Sequence, residues 1–129
     1  MILDSSAVVA VLVEEPGHEE LELKMRQAEV LAIGAPTLVE TGVVMARRVR
    51  GEESRIAVSR FRERMRVVVI PFAQAHWEAA ADAFFAFGKG RHPASLNYGD
   101  CMTYATARIA GKPLLFVGND FARTDIEAA

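Results

Sequence analysis

The sequence predicts an α/β fold built on a mainly parallel sheet. Short β-rich apolar runs alternate along the chain with longer segments of helical periodicity. The runs are apolar throughout, as strands covered by helices on both faces require. Breakers such as Glu15-Pro16-Gly17, Gly34, Pro71 and Gly111 separate the segments.

Met1 to Asp4 reads as a short buried strand that starts the fold at once. Asp4, Ser5 and Ser6 supply N-cap chemistry for a helix running through Val8, Val9, Leu12 and Val13. A second amphipathic helix is expected from His18 to Gln27, then a strand over Val30-Leu31-Ala32-Ile33. Pro36 and Thr37 open a helix reaching Arg50, with Leu38, Val39, Val43, Val44 and Met45 as its buried face. Gly51 breaks it, and Glu52 to Arg64 forms the next helix. Val67-Val68-Val69-Ile70 is a continuous apolar strand stopped by Pro71. Ala73 to Phe87 is alanine-rich and helical, and Gly88 to Ser95 is a loop. Tyr98 to Ala110 is helical and closed by Gly111, and Leu114 to Val117 is the last strand.

The 129 residues suit one domain, 1–129, and 51% of them are hydrophobic, which argues for a packed core and against disorder. A net charge of −2 does not announce a nucleic-acid binder. The charge is uneven, however. Arg47, Arg48, Arg50, Arg55, Arg60, Arg62, Arg64 and Arg66 are interrupted only by Glu52, Glu53 and Glu63. This run is either a solvated helix face with ion pairs or a surface for phosphates or an acidic protein. A lone cysteine, Cys101, rules out an internal disulfide and reads as a buried inert thiol. No signal-like run opens the sequence and no apolar stretch is long enough for a bilayer. A soluble protein of the cytoplasm is expected.

Four acids then stand out: Asp4, Glu40, Asp100 and Asp120. Each lies at the edge of an apolar run. Asp4 and Asp120 fall at or just beyond the carboxyl ends of two predicted strands, where parallel α/β sheets bind ligands. Glu40 and Asp100 fall early in two predicted helices. Four carboxylates in one pocket repel one another unless cations neutralise them. Hard oxygen ligands of this kind suit magnesium or manganese. Singly, each acid reads equally well as a helix cap or an exposed helix residue.

Other constellations fit less well. A response-regulator receiver wants an acidic pair after the first strand and a lysine after the last. An aspartyl-phosphate phosphatase wants Asp-x-Asp, but position 6 is Ser6. Gly88-Lys89-Gly90 lacks the strand and spacing of a phosphate loop. His18, His76 and His92 have no metal-ligand spacing. Trp77, Phe84, Phe85 and Phe87 are expected in core or dimer packing rather than in base stacking.

Four blocks occur in register: Met1-Ile2-Leu3-Asp4-Ser5-Ser6-Ala7, Pro36-Thr37-Leu38-Val39-Glu40-Thr41, Leu96-Asn97-Tyr98-Gly99-Asp100-Cys101, and Pro113 through Phe121 followed by Thr124-Asp125-Ile126. With these the whole chain resembles the PIN-domain ribonucleases, and more narrowly the VapC-type toxins of bacterial toxin–antitoxin pairs. The resemblance implies a three-layer α/β/α sandwich with a central mainly parallel sheet. It implies an endoribonuclease that hydrolyses RNA phosphodiester bonds with Mg2+ or Mn2+. Asp4, Glu40, Asp100 and Asp120 would be the catalytic, metal-binding acids. Asp120 competes with Asp125 for the fourth place and is preferred as the one nearer the strand end. Ser6 and Asn119 are candidates to bond a metal-binding carboxylate or the substrate, Ser6 being equally an ordinary helix start. Lys89, Arg91 and His92 either touch substrate phosphate or are loop polarity. The implied partners are RNA, a cognate antitoxin whose basic side chain enters the acidic rim, and a second copy of the chain. Leu38 to Met45 or the alanine-rich segment would supply the homodimer surface. An inactive fold that only binds an antitoxin is the competing class.

Overall fold

The structure, a computed structural model, describes residues 1–49 and 52–129. The expected helix end at Arg50 and the break at Gly51 lie outside the described residues. In chain order the elements are β1 (Ile2–Leu3), α1 (Ser5–Leu12), α2 (His18–Gln27), β2 (Ala32–Gly34), α3 (Ala35–Arg48), α4 (Glu53–Arg64), β3 (Val68–Ile70), α5 (Gln74–Phe87), α6 (Tyr98–Ala110) and β4 (Leu114–Leu115). A 3-10 turn, Phe121–Arg123, follows.

The strands form one parallel sheet in the order β3-β2-β1-β4. Pairing runs Ile2 to Ala32 and Leu114, and Leu3 to Leu115. Strand side chains alternate between faces, and both faces are covered. Ile2, Ala32 and Leu114 pack with Ala80, Ala83, Cys101, Tyr104 and Ala105 of α5 and α6. Leu3, Ile33 and Leu115 pack on the other side with Ala7, Val8 and Val11 of α1, Met25 of α2 and Phe61 of α4. This is the α/β/α sandwich that the sequence led us to expect.

Helices begin and stop for local reasons. Asp4 caps α1 by accepting from the Ser6 amide at 2.9 Å. In α6, Asn97 and Asp100 form a reciprocal capping box, 3.0 and 2.8 Å. The same helix ends at Gly111 in the left-handed region. α3 and α6 meet through small residues. The buried Thr37 and Thr103 hydroxyls bond at 2.9 Å. Gly34 ends β2 against α6, where a Cβ would stand 2.6 Å from the Thr106 hydroxyl oxygen. A larger residue there would require the Thr106 side chain to shift.

Several expectations are corrected. The strands are shorter than their apolar runs: Val30 is exposed before β2 and Val117 is exposed after β4. β3 is an edge strand, and its Val68 is 52% exposed instead of covered on both faces. On α3, Met45 is buried, but Val39 and Val43 are 68% and 48% exposed. An apolar stripe of the right period therefore faces solvent. Trp77, Phe84 and Phe85 are likewise exposed in the single chain, which corrects the expectation of core packing for them; of that aromatic group Phe87 packs against the core. Among the described residues no helix is long and apolar enough to cross a membrane.

Thr103→Val keeps the shape of the α3–α6 seam but strands the buried Thr37 hydroxyl. We expect a loss of about 1–3 kcal/mol in denaturant unfolding. The double change Thr37→Val with Thr103→Val should regain most of it. Additive losses would show that the hydroxyl pair is not the source of the cost.

Candidate active site

β1 is paired on both sides, and the chain reaches its two neighbours from opposite directions. That is a strand-order switch, and the carboxyl end of such a sheet leaves a crevice. Asp4 follows β1 directly. Its amide donates to the Leu115 carbonyl at 2.9 Å, which ties it to the end of β4. Its carboxylate is almost fully buried. Oδ2 accepts from both the amide and the hydroxyl of Ser6. The same Ser6 oxygen accepts from the Val117 amide at 3.0 Å. Ser6 thus clamps the acid after β1 to the segment after β4.

Asp100 enters from the first turn of α6. Its Oδ2 accepts from the Asn97 amide at 2.8 Å. The cap role of Asp4 and Asp100 is therefore real, and it engages Oδ2 of each. Among the described residues no hydrogen bond occupies Oδ1 of either. Capping orients the two carboxylates and leaves an oxygen of each available.

Glu40 comes from the second turn of α3. Burial pushes its carboxyl above the ordinary carboxylate range, and the charges of Asp4 and Asp100 add to the rise against a hydrogen bond from Ser5. Asp100 is raised too, first by burial, with Asp4 and Asp120 adding and the Asn97 amide opposing. The four acids thus share one electrostatic neighbourhood. Among the described residues no Lys or Arg forms an ion pair with any of them. Also among the described residues, no group of three or more His, Cys, Asp or Glu side chains is already arranged to hold a metal ion. The rim collects anionic oxygens without closing them into a ligand set. Its donor chemistry, oxygen only and unneutralised, fits a hard divalent cation.

The remaining candidates fall as follows. Asp120 is exposed at the start of the 3-10 turn and acts on Asp100. Asp125 is engaged elsewhere, accepting from Tyr104 at 2.6 Å and from Arg108 at 3.1 Å. Asn119 is exposed, with no hydrogen bond to the acids among the described residues. Lys89 is exposed on its loop. Arg91 lies over the Phe85 ring, 4.9 Å from its centroid, and 5.6 Å from that of Phe84. His92 accepts from the Ala94 amide and meets Phe87 edge-on. Cys101 is buried, and burial pushes its thiol up to about 11. In the arginine run, Arg48 pairs with Glu15, Arg62 with Glu63 and Arg64 with Glu22.

Two residues escaped the sequence reading. Ser5 bonds to Glu40. Gly99 lies against it so closely that a Cβ would stand 2.4 Å from Oε1. A glycine within the helix predicted from Tyr98, where alanine is the better helix former, was the available signal.

The fold and rim define a parallel α/β/α protein with an acidic crevice at the strand ends. A family model described as the PIN domain matches residues 1–127, and the chain belongs to that family. Ribonuclease VapC36 of Mycobacterium tuberculosis is 44% identical over 128 residues, covering 98% of this chain and 91% of that protein. Among solved structures, Mycobacterium tuberculosis VapC20, described as a sarcin-ricin loop cleaving toxin, superposes with TM-score 0.77 at 18% identity. It covers 99% of this chain and 97% of its own. A toxin–antitoxin complex from Klebsiella pneumoniae matches with TM-score 0.70 at 18% identity, covering 96% and 92%. The two superpositions carry the fold alone.

Raised carboxyls set a pH dependence. Glu40 and Asp100 bind protons more tightly folded than unfolded. Their contribution to stability is greatest below the ordinary carboxylate range and is lost as pH rises through the folded values. We expect Glu40→Gln to raise the melting temperature of metal-free protein near pH 7. The gain should vanish towards about pH 4, where an ordinary glutamate is largely protonated. Equal melting of both proteins at neutral pH would refute the assignment of strain to Glu40.

Proposed function

We propose that this chain is a metal-dependent endoribonuclease, the toxin of a toxin–antitoxin pair, acting in the cytoplasm on RNA. The observation that carries the reading is the cluster of four mutually repelling carboxylates at the strand-end rim, without a basic partner among the described residues. The name of the 44%-identical relative supports ribonuclease chemistry. The descriptions of the structural neighbours support a toxin with an antitoxin partner.

Asp4, Asp100, Glu40 and Asp120 would hold Mg2+ or Mn2+. Such an ion lowers the pKa of water at the site and offsets charge that develops on the phosphate. The residues of the chain do the positioning. Ser6 fixes the Asp4 carboxylate, Asn97 fixes that of Asp100, and Ser5 with Gly99 seats Glu40. With all four acids charged, an RNA phosphate would be repelled unless a cation held by Asp4, Glu40, Asp100 and Asp120 offset their charge.

An antitoxin surface is also available. Between α3 and α4 runs an apolar groove that includes Leu38, Val39, Val43 and Val58, with Arg55 and Arg62 at its edge. Val39 is adjacent to Glu40, so a segment lying in the groove ends at the acidic rim. A basic side chain arriving there would replace the cation's charge.

Purified protein freed of antitoxin should cut a pool of structured RNA in Mg2+ or Mn2+ and not in EDTA. Asp4→Asn and Asp100→Asn should each lower the rate by at least about a hundredfold, the scale of losing a main electrostatic group. Metal-independent cutting, or cutting retained in both variants, would sink the reading. No cutting by folded wild-type protein would favour the binding-only class.

Gly99→Ala tests positioning. The clash falls on the flexible end of Glu40, so the fold should hold and thermal melting should stay level or rise. Cleavage should fall about tenfold or more. Shortening the acid, Glu40→Asp in the same background, should recover part of the rate. Wild-type cleavage by the single variant would show that the seat is not needed.

A further inference from the structure

Beside the acidic rim lies a second feature that the four acids do not explain. Pro36, Val39, Glu40, Tyr98, Gly99 and Met102 line a cavity of about 340 Å³ between the start of α3 and the start of α6. Its walls are mostly apolar, yet it opens to solvent. Tyr98 is 80% exposed and Val39 is 68% exposed. An aromatic ring so exposed adds little to folding by burial. Gly99 contributes no side chain to the floor, and any Cβ there would press on the Glu40 carboxylate. The cavity and the rim therefore share a wall, Glu40, and Tyr98 stands two residues from Asp100.

We propose that this cavity is a nucleobase subsite, in which Tyr98 stacks an unpaired base of the RNA next to the phosphate being cut. The inference rests on the nuclease reading of the rim. The chemistry of the occupant follows from the surroundings. The occupant's buried part is not anionic, because Glu40 and the acids beside it repel anions, and it is largely apolar to match Pro36, Val39 and Met102. It is flat, because one exposed aromatic face is offered. It is joined to a phosphate one unit away, because the cavity adjoins the acids. An unpaired base meets all three conditions, and single-stranded RNA is recognised by aromatic stacking of splayed bases. A paired base cannot enter, so the subsite selects loops and single strands.

The probe is a short single-stranded RNA carrying one 2-aminopurine, moved through the sequence and bound to the Asp4→Asn protein in Mg2+. Stacking on Tyr98 should quench its fluorescence at one position. Adding Tyr98→Ala should abolish that quenching and weaken binding by about tenfold, the scale of one stacked base. Tyr98→Trp should keep both. In the protein with Asp4 intact, Tyr98→Ala should raise KM by about tenfold with kcat changed less than about threefold. Quenching retained in Tyr98→Ala, or absent at every position, overturns the subsite. So does a Tyr98→Ala protein whose only loss is affinity for an antitoxin peptide. Failure of the acidic-rim reading is seen separately, as wild-type protein that cuts no RNA while the quenching assay still reports on the cavity.

Discussion

The structure depends on β1 being paired in parallel on both sides. Two residues, Ile2 and Leu3, set the register of β2 and β4 and send one side chain to each core. Because all strands run the same way, every carboxyl end opens on one rim, and the chain must leave β1 and β4 there. Asp4 is the first residue beyond β1, and its amide is still part of the β1–β4 ladder through Leu115. The strands themselves are only two or three residues long. Hence the sheet acts mainly as a ruler, and helix packing on its two faces supplies most of the buried apolar surface.

The same hydrogen bonds that start two helices also build the rim. Asp4 caps α1 and Asp100 shares the cap of α6, which brings two helix N-termini to the acids. Amide groups and the helix dipole favour negative charge there. For Asp100 the direction of the shift shows which effect wins. Burial and neighbouring acids raise the carboxyl more than the Asn97 amide lowers it. A site built this way is strained when empty of positive charge. A cation held there would offset that repulsion, and its affinity would then be linked to the stability of the folded chain.

Much of this was legible in the sequence, for identifiable reasons. α2 was found end to end, because Pro16-Gly17 precedes an amphipathic run that lasts to Gln27. Gly111 marked the end of α6 because only a left-handed residue closes the helix there. Strand ends were not legible, since apolar residues such as Val30 and Val117 continue past the last paired residue. Nor was the fate of the α3 stripe. Periodicity puts Val39 with Val43 on one side of the helix and Leu38 with Met45 on another, but does not say which side meets another element; only the side of Met45 does. The choice between Asp120 and Asp125 rested on distance from a strand. The structure adds a stronger ground, that Asp125 is already bonded to Tyr104 and Arg108. The roles of Ser5 and Tyr98 beside Glu40 were not legible, because they depend on what α3 brings against α1 and α6, and Gly99 showed only as a glycine inside a helix.

The acidic rim and the apolar stripe of α3 adjoin, and one partner could cover both. The rim attracts any positive charge, and the exposed α3 stripe leads to it from Val43 through Val39 to Glu40. A partner that fills the groove with apolar side chains and ends in a basic residue satisfies both surfaces at once. It relieves the same carboxylate repulsion as a metal ion while its bulk covers the cavity beside Tyr98. Inhibition of this kind would need no change in the fold, only a ligand that offsets the charge of the acids as a cation would. Valines exposed beside such a rim suit a surface that a partner covers.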